Sequence, residues 1–494
     1  MTLATFLIIV FLLCHAAISL RNYHIFQLNS YKPDVQFSWL LRSPASAWSV
    51  YPRKAKKPMV CTPRMLRMFA THLVVLLAVM TIAFYFNAPC RVIFAAALAL
   101  SAPLFPHLTR LLNAPIERAI NRWYIEDAKR ILNSNSRLRV IGVTGSYGKT
   151  SVKNFLQRIL ASKFNCLMTP ESYNTTLGVV RTIRSSLRSA HDIFICEMGA
   201  RNQGDIKEIC DIVNPGLGVI TSIGEQHLES FKSLSNIVKT KFELADALPR
   251  DGVLFLNADN ESIQERLGDS SCRLPQTIVK WSMSEGRANG DESIYRAFDL
   301  SVSVKGSAFK VSFPDGEERV FETPLIGVPN VMNILAAITV ADSLGVERTD
   351  IALGVSRLEP VPHRLQLLRN SSLPIIDDAY NSNPNGAAAA LSALAMFDGY
   401  FKILVTPGMV ELGEKQDELN GRFGAAAAEV CDFVILMGER QTKGILAGLR
   451  GAGYEARKIF VTESLSSAFE KINSIDAGAR PKIVLLENDL PDNY

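Results

Sequence analysis

The chain has 494 residues, 48% of them hydrophobic, a mean hydropathy of +0.13 and a net charge of +5. That length suggests about three domains, and so mild a charge gives no reason to expect a nucleic-acid partner. Its eight cysteines form no C-x-x-C pair, so they signal neither a zinc site nor a redox couple and suit a reducing cytosol.

The first segment, Thr2 to Leu20, carries no formal charge and is close to the ~20 residues that span a bilayer. A cleaved signal peptide fits it poorly, because no basic stretch precedes the run. Two further apolar runs, Phe69 to Phe86 and Val92 to Leu108, are separated only by "NAPCR" and predict a helical hairpin with a tight turn. Between Arg21 and Met68 stand nine basic residues opposed only by Asp34, the bias of a cytoplasmic loop. The hairpin leaves and returns, so everything after Arg110 is expected on the cytoplasmic side of a multi-pass cytoplasmic-membrane protein. Pro115 to Leu132 has helical periodicity with charges on one face and predicts a linker helix.

A short β-branched run, "LRVIGV" at 138–143, leads into Thr144-Gly145-Ser146-Tyr147-Gly148-Lys149-Thr150-Ser151 and then a helical pattern. Glycines let backbone N–H groups curl round phosphate oxygens, and the helix N-terminus adds a favourable dipole. Lys149 can reach outer phosphates, and Thr150 can place its hydroxyl on a magnesium ion. Val143 occupies the first glycine position of the full phosphate-loop pattern. Two more predicted strands end in useful side chains, "DIFIC" before Glu197 and "LGVITSI" before His227. Ligands sit at the carboxyl ends of strands in open α/β sheets, so Thr150, Glu197 and His227 are expected to converge on a metal–nucleotide site. The absence of N-K-x-D and L-S-G-G-Q motifs argues against guanine reading and against a transport ATPase.

Downstream, the alternating segment 298–327 turns at Lys305-Gly306 and Asp315-Gly316, predicting small antiparallel strands. After Arg364 come strand-like runs "LPIIDD", "YFKILVTPG", "CDFVILMG", "RKIFVT" and "KIVLLEN" with helical stretches between, a second parallel α/β domain. The expected fold is α/β. Membrane helices and a linker occupy 1–135, a phosphate-loop domain 136–360, and a Rossmann-like domain 361–494.

From about Leu138 onward the chain resembles the Mur ligases, most closely the MurF type. The matching motifs are "TGSYGKTS", "NTTLGV" (174–179), "EMGA" (197–200), "GEQHLESF" (224–231), "KTKFE" (239–243), "GVPNVMN" (327–333), "PVPHRLQ" (360–366) and "DDAYNSNP" (377–384). The resemblance implies an ATP- and magnesium-dependent ligase of cell-wall synthesis. It converts a carboxylate to an acyl phosphate, which the amine of an amino acid or dipeptide attacks. It further implies that residues 144–151, Asn330, Asn333, Arg364 and Asp378 hold the nucleotide. Thr150, Glu197, His227 and a carbamylated Lys241 would hold metal; Asn174, Thr175 and Thr176 would meet substrate. Lys149, His227, Lys241 and Arg364 would be the catalytic set.

The chain also departs from the family's pattern. Apolar helices stand where such ligases usually carry a uridine-nucleotide-binding domain. Pro329 replaces a histidine, "LVTPGMVELG" (404–413) lacks an aspartate at Pro407–Gly408, and "LLENDLPDNY" replaces a K-G-S-R segment. These changes suggest an acceptor held at the membrane bilayer and lipid-linked, in place of a free uridine-nucleotide precursor, as an alternative to the usual cell-wall precursor. A poly-γ-glutamate-type amide ligase and a non-catalytic ATP-binding membrane scaffold are the remaining alternatives, the intact Lys149, Glu197, His227 and Arg364 set opposing the scaffold.

Overall fold

A computed structural model describes residues 2–29, 31–42, 44–49, 58–171, 173–224, 231–269, 273–283, 294–369, 373–379, 383–410 and 412–488. The chain divides into two compact units, residues 1–126 and 127–494.

The first unit is helical: α1 (Leu3–Leu28), α2 (Pro33–Arg42), α3 (Pro44–Ala47), α4 (Pro63–Phe84), α5 (Ala88–Ser101) and most of α6 (Phe105–Asn133). Three helical segments, Leu3–Leu28, Pro63–Phe84 and Ala88–Asn133, are long and apolar enough to cross a membrane. Asn87 caps α5 by accepting from the Cys90 N–H, so the hairpin link is shorter than the five residues "NAPCR". The third apolar run is not one straight helix. A 3-10 turn at Ala102–Leu104, containing Pro103, separates α5 from α6. The linker helix expected from Pro115 is also not separate, since Pro115 lies inside α6. An interior proline costs a helix about 3 kcal/mol, yet the apolar positions Leu111, Leu112 and Ile116 continue across it.

This unit exposes many large apolar side chains and buries several polar ones beside Phe26, Met65 and Met68. Leu3, Phe6, Ile9 and Leu13 of α1 face outward, while His15, Ser19, Asn22 and Tyr23 are buried. His15 Nδ1 donates to the Leu98 carbonyl (2.7 Å), and its Nε2 lies 3.0 Å from His72 Nε2. The Tyr23 hydroxyl bonds His72 Nδ1 (3.1 Å) and Thr109 Oγ1 (2.9 Å), so one polar chain ties α1, α4, α5 and α6 together. Polar side chains that pair inside a bundle and leave its outside apolar suit a hydrocarbon solvent.

The second unit holds two sheets. The first has the order β2-β3-β1-β4-β5-β6-β7-β8-β9. Its strands are β1 (Arg139–Thr144), β2 (Cys166–Met168), β3 (Ile193–Glu197), β4 (Leu217–Ile220), β5 (Val253–Asn257), β6 (Thr277–Ser282), β7 (Ile294–Ser303), β8 (Gly306–Ser312) and β9 (Glu318–Thr323). β2 to β7 run parallel, and β8 and β9 add an antiparallel flank that turns where Lys305-Gly306 and Asp315-Gly316 predicted. The parallel strands β1, β3 and β4 are buried almost throughout, as continuous apolar runs require when helices cover both faces. Helices α7 (Lys149–Leu160), α8 (Thr176–Ser186), α9 (Asp205–Val213), α10 (Leu234–Ala247), α11 (Glu261–Leu267), α12 (Val328–Ser343) and α13 (Arg348–Ser356) complete this part. The chain leaves β1 toward β2 and leaves β4 toward β5, so their outgoing connections diverge. That divergence opens the crevice at their carboxyl ends where ligands bind in such sheets.

The second sheet has the order β10-β11-β15-β12-β13-β14. It comprises β10 (Gln366–Leu368), β11 (Ile375–Asp378), β12 (Phe401–Thr406), β13 (Phe433–Met437), β14 (Ile459–Thr462) and β15 (Lys482–Glu487). Five strands are parallel, as expected; the short β10 is an antiparallel edge that the sequence pattern did not announce. Helices α14 (Pro384–Ala395), α15 (Gln416–Val430), α16 (Lys443–Gly451) and α17 (Leu465–Ser474) pack on it. α15 and α16 meet backbone to backbone through glycines: a side chain at Gly448 would run into the Gly421 carbonyl, and one at Gly424 into that of Ile445.

Gly448→Ala is therefore expected to force the two helices apart at a cost of about 1–3 kcal/mol. Hydrogen exchange should show faster exchange of the β12 and β13 amides, with those of β1 and β3 unchanged. Unaltered protection of β12 and β13 would show that the contact is not tight.

Candidate active site

The phosphate loop is moored to the end of β4. Thr144 is buried, and its hydroxyl donates to the Met198 carbonyl (3.0 Å). Gly145 has φ +148°, and a side chain there would collide with the Thr221 hydroxyl. The Ser146 N–H donates to the Ser222 carbonyl (2.6 Å), the Ser146 hydroxyl donates to the Gly224 carbonyl (3.0 Å), and the Ser222 hydroxyl donates to the Tyr147 carbonyl (3.3 Å). Gly148, in the left-handed region at φ +81°, starts α7, and any Cβ there would strike the Asn333 amide of α12. The loop thus presents the free N–H groups of a helix N-terminus, a natural anion site. Ser151 is buried in the first turn of α7.

Lys149 folds back over this loop, its Nζ donating to the carbonyls of Gly145 (2.8 Å) and Ser146 (2.9 Å). Burial lowers its pKa to about 8; Glu197 acts to raise it and Arg364 lowers it further. The ammonium therefore waits at the position where outer phosphate oxygens would need a cation.

Glu197, at the end of β3, is the hub. Its Oε1 accepts from the Thr150 hydroxyl (3.2 Å) and from Asn174 Nδ2 (3.0 Å). Its Oε2 lies 2.9 Å from Lys153 Nζ, with both side chains almost wholly buried. That approach is off the hydrogen-bonding direction, so Oε2 is a buried oxygen that accepts no hydrogen bond. Gly199 leaves the space that Asn174 fills, and its N–H donates to the Asn174 carbonyl (2.7 Å). Of the three residues expected to meet substrate, only Asn174 reaches this hub. Thr175 is exposed at the start of α8, and the Thr176 hydroxyl donates to Glu208 (2.7 Å).

Lys241 is buried on α10 with its Nζ 6.0 Å from the centre of the Phe231 ring. Burial is the main cause that lowers its pKa to about 7; repulsion from Lys149 lowers it too, against Glu243 and Asp205. His227 lies outside the described residues. Among the described residues no group of three His, Cys, Asp or Glu side chains gathers as a ready metal cage.

From the other sheet comes Arg364. It sits between two non-glycine residues in the left-handed region, His363 (φ +59°) and Leu365 (φ +45°). Such conformations cost of order 1 kcal/mol or more each, and here two aspartates hold them. Asp377 bonds His363 Nδ1 (2.9 Å), and Asp378 Oδ1 accepts the Leu365 N–H (3.0 Å). Burial raises the Asp378 carboxyl to about 6, opposed by the Leu365 N–H and Arg364 and helped by Asp377. On α12, the Asn330 side chain donates to the Ile326 carbonyl (2.9 Å). Pro329 lies in the first turn of that helix, where its missing N–H has no intrahelical duty.

Two residues of this region were not singled out from sequence. Lys153 is one helical turn after Lys149, so its approach to the same site was available from the i, i+4 spacing. Glu487 ends β15 and accepts from the Thr406 hydroxyl (2.6 Å) at the end of β12. A carboxylate ending a strand was its only signal.

Family profiles match twice: the Mur ligase middle domain over residues 143–341, and the Mur ligase glutamate ligase domain over residues 363–486. The UDP-N-acetylmuramoyl-tripeptide--D-alanyl-D-alanine ligase of Escherichia coli is 34% identical over 309 residues, 61% of this chain and 65% of that protein. The chain thus spans just under two thirds of that relative. The ligase of the same name from Mycobacterium leprae is 30% identical over 368 residues, 71% of this chain and 70% of that protein. The crystal structure of MurF from Acinetobacter baumannii superposes with a TM-score of 0.63 at 27% identity, covering 74% of this chain and 77% of that one.

Removing one partner of the buried Lys153–Glu197 pair should be costly. Lys153→Met is expected to destabilise the nucleotide-free protein by about 3–5 kcal/mol, because Glu197 is left as an uncompensated buried charge. Thermal unfolding checks this, and a loss below about 1 kcal/mol would contradict it. Asp378 gives a pH-dependent result. The native carboxyl keeps its proton to about pH 6, whereas an unfolded aspartate loses it near 3.8. The folded state therefore binds more protons in that window, and this group's contribution to stability falls as pH rises from about 4 to 6. Asp378→Asn should remove that decline and raise the melting temperature at pH 7.

Proposed function

The chain belongs to the Mur ligase family, and from that premise we propose that it is an ATP-dependent amide ligase of cell-wall precursor synthesis. In this reading, residues 136–360 form its ATP-binding domain and 361–494 the domain that closes on it. The observation that carries the proposal is the grouping of Lys149, Thr150, Asn174 and Glu197 at the carboxyl ends of β1 and β3, with Arg364 close enough to depress the Lys149 pKa.

The reaction class requires two group transfers, first of a phosphoryl and then of an acyl group. A carboxylate oxygen of the acceptor attacks the terminal phosphorus of ATP, releasing ADP and forming an acyl phosphate. The amine then attacks the acyl carbon, and phosphate leaves as the amide forms. Negative charge grows on phosphate oxygens in the first step, so cations aimed there are worth the most. Lys149 exchanges its two loop carbonyls for those oxygens, and its pKa of about 8 leaves it mostly protonated at neutral pH. Arg364 supplies a second cation from the other sheet, held in place by the strained turn that Asp377 and Asp378 secure. Asn330 and Asn333 are assigned to the nucleotide side, with Asn333 packed against Gly148.

Magnesium fits the hub. Glu197 Oε2 is a buried anionic oxygen without a hydrogen bond, the Thr150 hydroxyl is beside Oε1, and hard oxygens are what this ion takes. When bound it would neutralise phosphate charge. His227 joins this set by its place in the motif alone. Lys241 does not fit as an ammonium, because a cation repels metal. Carbamylation by carbon dioxide needs the neutral amine, and burial makes that form available near pH 7. The carbamate would be an anion.

The acceptor is proposed to be membrane-held, with a lipid-linked cell-wall precursor as its class and an amino acid or dipeptide as the amine. Support comes from the inside-out polarity of the first unit and from apolar helices preceding the phosphate loop. The named relatives, by contrast, are ligases of a uridine-linked tripeptide and D-alanyl-D-alanine.

Lys149→Ala is expected to lower turnover about a hundredfold or more, read by phosphate release; retained turnover would separate the loop from the chemistry. Lys241→Ala should be similarly weak and partly restored by short carboxylic acids. Full-length protein should be given soluble uridine-linked tripeptide or a lipid-carried precursor, each with D-alanyl-D-alanine, and products weighed. Preference for the lipid-carried acceptor is expected. Equal efficiency on the soluble one would overturn the membrane-held reading, and no amide product from either would overturn this choice of substrates.

A further inference from the structure

The first unit contains a cavity of about 270 Å³ between α4 and α6. Arg64, Arg110 and Arg118 line it, together with Glu117 and the apolar Met68 and Leu111. Three guanidinium groups share one small cavity, where an anion would find several donors at once. Glu117 is the single carboxylate in the lining, and it is already engaged: Arg67 holds it at 2.6–2.7 Å, while Arg64 stands 3.9 Å away and stacks over the Tyr31 ring at 4.3 Å. Among the described residues, Arg110 and Arg118 have no hydrogen-bond or ion-pair partner. The cavity therefore carries unbalanced positive charge.

Its surroundings are apolar. Leu108, Leu112 and Ile116 follow one another at i, i+4 spacing on α6, with Leu111 beside them, and all four are exposed. This stripe has no protein cover in the unit and continues the outward apolar face of the helices. A cationic cavity opening beside a lipid-facing stripe matches one kind of molecule, an amphiphile with a phosphate head and a hydrocarbon tail. Ligand pockets for whole small molecules span roughly 300 to 1,000 Å³. This one, at about 270 Å³, falls just below that range, a size that suits a headgroup phosphate.

We propose that the cavity lined by Arg64, Arg110 and Arg118 is a binding site for the phosphate group of a membrane lipid. The inference rests on the reading that the first unit lies in a bilayer; it does not depend on the ligase chemistry. Guanidinium pairs with phosphate through parallel N–H donors, so arginine in place of lysine at all three positions fits this use.

The test uses the full chain in nanodiscs of phosphatidylcholine. Spin-labelled phosphatidic acid and spin-labelled phosphatidylcholine are compared for the fraction held immobile by the protein. The wild type is expected to select the phosphatidic acid label. Arg110→Gln/Arg118→Gln should weaken that selectivity by about fivefold for each arginine removed. Lys32→Gln/Arg122→Gln removes the same charge outside the cavity and should leave selectivity unchanged. An equal loss in this control pair would mean diffuse surface charge, and displacement of the label by millimolar inorganic phosphate would mean a soluble anion; either overturns the proposal. Melting temperature and ATP binding of both double variants are followed to separate loss of the site from loss of the fold. Because no ligation is measured, failure of the ligase reading would leave this result standing, and a chain that did not enter nanodiscs would overturn the bilayer reading together with this one.

Discussion

The central constraint is the buried carboxylate of Glu197. A carboxylate out of water is tolerable only if cations and donors surround it, and the local architecture is arranged to supply them. Lys153 and Thr150 reach it from successive turns of α7, and Asn174 from the segment before α8. Even Gly199 is explained by it, since any larger residue would displace Asn174. One oxygen is satisfied by two donors; the other faces only an ammonium and accepts no hydrogen bond. The resting site is electrically neutralised, yet one carboxylate oxygen is left without a hydrogen bond.

The same logic governs the cations. Burial is the main cause that pushes both Lys149 and Lys241 toward the neutral form, with Arg364 adding to it at Lys149 and Lys149 adding to it at Lys241. Phosphate oxygens would reverse that push on Lys149, because an anion favours the protonated amine. A chemical change at Lys241 would remove the repulsion at its source. Arg364 has no such freedom, since a guanidinium stays charged. The protein controls it by backbone geometry instead, placing it between two left-handed residues that Asp377 and Asp378 hold.

Most of the α/β architecture was legible because it rests on short-range signals. Continuous β-branched runs marked β1, β3 and β4, and Lys305-Gly306 and Asp315-Gly316 marked the turns of the antiparallel flank. Gly145 and Gly148 were readable for the same reason: each has a positive φ that only glycine adopts cheaply. What escaped the sequence depends on tertiary company. Lys153 looks like any surface lysine until β3 brings Glu197 beneath it. The hydrogen bond from the Thr176 hydroxyl to Glu208 joins α8 to a neighbouring helix, a pairing that no local pattern announces. Pro115 reads as a helix start by propensity, and packing overrode that preference in α6. His363 adopts a left-handed conformation that favours glycine, and only the Asp377 bond shows how a side chain is accommodated there.

The helical unit obeys the opposite solvent rule from the α/β unit, and that bears on how an acceptor could be held. In the α/β unit, apolar residues are inside and charges cluster at strand ends. In the first unit His15, Asn22 and Tyr23 are inside, while Leu3, Leu13, Leu66, Leu73 and Leu77 are outside. A helix such as α1 has its apolar residues on nearly every side, so no pattern along its sequence says which face is covered. The polar residues decide it: an unpaired histidine or tyrosine hydroxyl facing hydrocarbon would cost several kcal/mol, whereas His15, His72, Tyr23 and Thr109 satisfy one another. Packing is thereby specified by hydrogen bonds, with van der Waals contact filling the rest. A cavity of this bundle opens between α4 and α6, where Arg64, Arg110 and Arg118 stand beside the outward apolar stripe of α6.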